Sequence, residues 1–200
     1  NNGSFDLTFG TSGVGEFPSL SSSRGHGLHV YPDGKILVNG ACYHNDGFER
    51  PYVIRYLANG NVDTTFGNQG YTIVTNVDSW DGFDCRDIVV NNDGKIIIGG
   101  GTSELAGFIS RLNSDGSIDT NYGNNGSVID PEFEVIYSIS AGPDNKTYHG
   151  GNVIACYDND GNLDTGFAAG GYLELPGNPG YHAALKIFVQ PDNKIAVAYI

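Results

Sequence analysis

Apolar residues fall in short runs, each closed by a tight turn. In the clearest stretch, Asp87-Ile-Val-Val90 precedes an Asp-Gly turn at Asn92-Asp-Gly-Lys95, and Lys95-Ile-Ile-Ile-Gly99 follows it. After a loop from Thr102 to Gly107 come Phe108-Ile-Ser-Arg-Leu112, a second turn at Asn113-Ser-Asp-Gly116, and a segment from Ser117 to Asp130 broken by Tyr122-Gly123 and Gly126. β-Branched runs bounded by Asp-Gly dipeptides predict antiparallel hairpins. No segment carries a 3.6-residue apolar period over the length a helix needs.

The pattern recurs. Asp6-Leu-Thr-Phe-Gly10, Asp63-Thr-Thr-Phe-Gly67, Asp119-Thr-Asn-Tyr-Gly123 and Asp164-Thr-Gly-Phe-Ala168 are one motif. Pro32-Asp-Gly-Lys-Ile36, Asn92-Asp-Gly-Lys-Ile96, Pro143-Asp-Asn-Lys-Thr147 and Pro191-Asp-Asn-Lys-Ile195 are a second, alternating with the first. Four predicted strands per unit of about 50 residues is the signature of a β-propeller blade, so the expected class is all-β. Arg55 and Arg111 match in the third strand, where the next unit has Cys156. Gly40, Gly100 and Gly151 match in the second strand and predict close approach of another backbone, here the neighbouring blade.

Laid on this frame, residues 1–20 form an orphan fourth strand, 24–78, 85–134 and 136–176 form three blades, and 182–200 form a half blade. Propellers close with four to eight blades. Joining the two ends gives a blade without its third strand, and an open edge of that kind is disfavoured. The expectation is therefore about 3.5 blades of a larger six- to eight-bladed ring, with a four-bladed ring closed by its own termini as the alternative. A chain opening Asn1-Asn2-Gly3 is expected to be processed or a fragment.

Composition narrows the partners. Ten Lys and Arg against 23 Asp and Glu give a net charge of −13, which repels a phosphate backbone and argues against nucleic acid. Anionic membrane surfaces are disfavoured likewise, and no apolar run approaches the roughly 18 residues of a membrane span. Three cysteines without a Cys-x-x-Cys provide neither a disulfide framework nor a metal motif.

The residues Asn113-Ser-Asp-Gly-Ser-Ile-Asp119 and Asn92-Asp-Gly-Lys-Ile96-Ile-Ile-Gly99-Gly100 resemble the delta-60 repeat, a domain-of-unknown-function β-propeller family, and the resemblance runs along essentially the whole chain. It implies a propeller of large secreted or surface bacterial proteins, with no family-wide catalytic residues. Ala198-Tyr199 departs from the pattern where Gly-Gly is expected. Low Ala and abundant Asn, Ile and Tyr, with the resemblance, point to Bacteroidetes-like cargo of an outer-membrane secretion system.

First-to-second and third-to-fourth turns barely vary in length, whereas the loops of the opposite face vary strongly. Variable loops on a rigid scaffold are where binding is commonly placed. That face carries Arg24, His26, Tyr43, His44, Phe48, Glu49, Trp80, Asp81, Phe83, Asp84, Tyr181 and His182. Of these, His26, Tyr43, His44, Phe48, Trp80, Phe83, Tyr181 and His182 are candidates to hold a protein or glycan partner, since aromatics combine area with a polar edge. The plainer reading is that the aromatics pack their own loops.

Asp158, Asp160 and Asp164 resemble the start of an oxygen-rich Ca²⁺ loop, though an Asp-Gly hairpin explains them more simply. Cys42 and Cys85 fall on the same face of adjacent blades, where an oxidising compartment would let them pair; reduced, partly buried thiols are the alternative. Arg24, His26 and His44 with Asp81 or Asp84 suggest an acid/base group, but spacing gives no reason to choose them. The leading expectation is a non-enzymatic interaction or adhesion module, extracellular or at the bacterial cell surface. The alternatives are a glycan-active hydrolase or lyase and a structural spacer.

Overall fold

A computed structural model describes residues 3–16, 20, 22–75, 83–176 and 183–200. Among the described residues, all regular elements are strands. The first sheet holds β1 (Arg24–Val30), β2 (Ile36–Tyr43), β3 (Glu49–Tyr56) and β4 (Tyr71–Ile73). The second holds β5 (Phe83–Val90), β6 (Ile96–Thr102), β7 (Gly107–Leu112) and β8 (Ser127–Asp130). The third holds β9 (Ser138–Ala141), β10 (Thr147–Gly150), β11 (Val153–Tyr157) and β12 (Tyr172–Glu174), and β13 (Ala184–Val189) pairs with β14 (Ile195–Tyr199). Within each sheet the strands follow chain order and pair antiparallel, as in propeller blades.

The sheets stack as successive blades. First strands adjoin across blades, β1 to β5, β5 to β9 and β9 to β13, and so form the inner wall. The second sheet is covered on both faces, which is why β6 reads Ile-Ile-Ile without polar alternation: Ile96 and Ile98 face the first blade while Ile97 faces the third. One apolar layer (Leu37, Val53, Phe66, Ile88, Ile98, Phe108) joins blades one and two, and a second (Ile97, Ile109, Tyr122, Phe133, Ile136, Tyr157) joins two and three.

The fourth strands are shorter than their sequence suggests. Of the stretch from Ser117 to Asp130, only Ser127–Asp130 is strand. Asn125, Gly123 and Gly126 take left-handed backbone angles of φ 53°, 53° and 98°, which fold the preceding residues into turns. Likewise, the expected orphan strand over residues 1–20 forms no strand among its described residues. Its described residues make turns and a bridge, Thr11 to Val14.

The repeated motifs fasten one blade to the next. Asp63 accepts from Arg55 Nε at 2.9 Å, and the Arg55 guanidinium lies 4.6 Å from the centre of the Phe66 ring. Arg55 Nη1 then reaches the Ser114 carbonyl of the following blade at 2.8 Å. The second blade repeats this with Arg111, Asp119 and Tyr122, where Arg111 donates to the Asn159 carbonyl. Cys156, in the matching place, has no such reach.

The second-strand glycines serve a different purpose from the one expected. A Cβ on Gly40 would lie 1.9 Å from the Arg24 carbonyl oxygen, and on Gly100 1.7 Å from that of Asp84. On Gly151 it would lie 2.3 Å from the Val135 oxygen. At Gly40 and Gly100 the approaching backbone is therefore the blade's own first strand, not the neighbouring blade, and at Gly151, just past β10, it is the segment leading into β9.

Candidate functional site

At Gly40 and Gly100 that approach coincides with a bulge. Pairing of β1 with β2 steps from Gly25 to Gly27 while its partner advances by one residue, so His26 is extra. The same shift makes Arg86 extra in β5 and Leu185 extra in β13. A bulge re-aims its unpaired side chain. Here the bulged residues stand at the starts of the inner strands, on the variable-loop side.

They meet there. His26 Nε2 lies 3.1 Å from Asp84 Oδ1, and Arg86 Nη2 lies 2.5 Å from Asp84 Oδ2. The Arg86 guanidinium sits 5.5 Å from the centre of the Tyr137 ring, the residue leading into β9. Beside them Arg24 grips Glu49 through both nitrogens, at 2.8 and 2.9 Å. Blades one, two and three thus contribute to one polar group, His26–Asp84–Arg86–Tyr137. Deeper along the inner wall, Asp87 Oδ2 accepts from the Ile139 amide at 2.9 Å and from Lys186 Nζ at 2.8 Å, tying three blades together.

Of the residues singled out by sequence, His26 and Asp84 join this group, with Arg24 and Glu49 beside it. His44 does not: its Nδ1 lies 3.2 Å from Asp46 Oδ1 within its own hairpin loop. Phe48 packs against the Arg50 guanidinium at 5.3 Å, and Arg50 Nε donates to Asp46 at 2.9 Å, so that ring closes its own loop. Tyr43 is half exposed at the end of β2. Trp80, Asp81, Tyr181, His182 and the side chain of Phe83 lie outside the described residues. Arg86 and Tyr137 were not singled out; for Arg86 the signal is the one-residue excess of β5 over its partner, and Tyr137 carries no such mark.

The Asp158, Asp160 and Asp164 carboxylates are not gathered. Asp158 accepts from the amides of Asp160 and Asn162, both at 2.9 Å, and Asp164 from Lys146 Nζ at 2.9 Å. No group of three metal-ligating side chains occurs among the described residues. Cys42, Cys85 and Cys156 are free and buried; Cys42 and Cys85 belong to separate apolar clusters, and Asn39 Nδ2 lies 3.0 Å from Cys85 Sγ.

A cleft of about 690 Å³ opens between blades one and two, lined by His44, Thr72, Thr75 and Ser117 among others. A second, of about 430 Å³, lies along β12 beside Glu132 and Tyr172. Behind that wall, Asp130 accepts from the hydroxyls of Tyr157 and Tyr172.

Residues 32–66, 92–122 and 143–167 match the family described as Domain of unknown function (DUF5122) beta-propeller. No curated protein matches the chain.

Proposed function

Taking the chain as a β-propeller domain of the unknown-function family that its repeats match, we propose that it is a non-enzymatic interaction module. Its binding surface is the loop-bearing end of the inner wall, and its setting is a secreted or cell-surface bacterial protein, carried as cargo of an outer-membrane secretion system. The observation that carries this reading is the charge pairing at His26–Asp84–Arg86 and Arg24–Glu49. Each carboxylate is already held by a guanidinium, Asp84 by Arg86 and Glu49 by Arg24. A preorganised set of donors and acceptors beside an aromatic ring suits recognition of a protein loop or a glycan.

Screening the purified protein against arrayed glycans and purified envelope proteins tests this. Binding that weakens in Arg86→Ala and His26→Ala supports it. A clean negative in that screen, alongside turnover of a polysaccharide, overturns it. The His26–Asp84 contact at 3.1 Å favours a second reading, a glycan lyase in which Asp84 orients His26 as base. Polysaccharide cleavage abolished by His26→Ala would select it.

A further inference from the structure

We propose a second site, in the cleft between blades one and two, that takes a neutral carbohydrate. In a chain of net charge −13 this cleft of about 690 Å³ is lined almost without charge. Its polar atoms come from the hydroxyls of Thr65, Thr72, Thr75 and Ser117 and the amide of Asn68, with the ring of Tyr71 beside them. The one carboxylate, Asp115, is occupied by the Ser117 amide at 2.9 Å and hydroxyl at 2.6 Å. His44 also lines the cleft, its Nδ1 3.2 Å from Asp46 Oδ1, and brings an imidazole to meet a ligand hydroxyl.

The repeat itself argues that the Thr72 and Thr75 hydroxyls are dispensable to the fold, although Thr72 Oγ1 donates to the Gly116 carbonyl at 2.5 Å; those of Thr65 and Ser117 donate within their own turns, to Asp63 and Asp115, each at 2.6 Å. Where blade one has Thr72, the other blades have Val128 and Leu173; where it has Thr75, they have Pro131 and Pro176. The fold is built equally well with apolar residues at both positions. Hydroxyl-rich walls with an aromatic platform, in a cavity within the 300–1,000 Å³ range of small-ligand sites, match the many hydroxyls and apolar faces of a sugar ring. Charged glycans lack a counter-charge here.

Calorimetric titration of the whole chain with cellohexaose, maltohexaose and mannohexaose, each to about 10 mM, tests the site. Binding of at least one is expected, with Thr75→Val and His44→Ala each lowering affinity about 3- to 10-fold, in line with one lost hydrogen bond. Thr75 is exposed, so the melting temperature of Thr75→Val should stay unchanged. Absence of binding by all three sugars overturns the proposal, as does binding indifferent to both substitutions. Tighter binding of an oligogalacturonate would overturn the neutral class. Arg86→Ala separates the two sites: it should leave sugar binding intact, and loss of binding in that variant would move the sugar to the inner-wall group instead.

Discussion

The Gly67 amide donates to the carbonyl of Asp115, in the turn of the following blade, at 2.7 Å. Gly10 to Asn59 and Gly123 to Asp160 repeat the bond at 2.7 and 2.8 Å. In each case the ring before the donor glycine covers the glycine of the next turn: Phe9 over Gly60, Phe66 over Gly116, Tyr122 over Gly161. The most repeated residues of the chain are thus blade-to-blade fasteners.

Gly116→Ala should be costly. Its φ is +89°, and a Cβ would lie 2.7 Å from the Gly67 nitrogen and 2.9 Å from the Phe66 ring. Strain and overpacking together should lower stability by roughly 2–4 kcal/mol, read from urea denaturation. Gly47→Ala, with nothing within 4 Å of the added carbon, carries the φ cost alone.

Arg55→Leu should destabilise more than Arg111→Leu. Asp119 keeps Lys95 at 2.8 Å when its arginine is lost, whereas Asp63 keeps only Thr65 and backbone. Breaking a buried pair by removing one partner costs about 3–5 kcal/mol. Burial works to raise the Asp63 pKa, but hydrogen bonds from Thr65 and the Arg55 charge outweigh it and hold the group below its usual value. Its contribution is present above the unfolded carboxylate pKa and fades as pH falls through the folded one, so the stability gap between wild type and Arg55→Leu should narrow in acid.

Thr147 and His149 occupy positions held by Ile96 and Ile98 in the preceding blade. His149 is fully buried, its Nε2 lies 2.8 Å from Thr147 Oγ1, and its Nδ1 has no hydrogen-bond partner. Burial pushes its pKa down to about 3, so the folded protein holds it neutral. The unfolded chain takes up that proton below about pH 6.5, and stability should fall as pH drops from there toward 3. The double variant Thr147→Ile/His149→Val should be about 1–3 kcal/mol more stable at neutral pH and lose this part of the acid sensitivity, measured by chemical denaturation at pH 7.5 and 5.

The native thiols should be inert. Burial pushes Cys42 and Cys156 up to about 11 and Cys85 to about 12, so thiolate is scarce at pH 8. A chromogenic disulfide reagent should leave all three unreacted in buffer and titrate all three in denaturant.

Strand positions, hairpin turns and the all-β class were legible because apolar runs and Asp-Gly turns are local signals. The Asp-x-x-Phe-Gly motif looked like strand, and only the left-handed backbone at Gly67 and Gly123 reveals it as a turn that reaches another blade. His26 and Asp84 were both visible as candidates, but spacing gave no reason to pair them, and Arg86 was not singled out. Asp84 and Arg86 come to it through a bulge, whose effect depends on the register between strands and not on the spacing along any one of them.

That bulge carries a wider implication. The extra residue pairs with nothing in the ladder, so it is exempt from the rules that hold β1, β5 and β13 to their partners. His26, Arg86 and Leu185 are three chemically unrelated occupants of that position, with no change in how the sheets hydrogen-bond around them. Each of these three strands therefore offers one interchangeable side chain at the inner rim, and the specificity of that rim can be rewritten one residue at a time while the architecture stays constant.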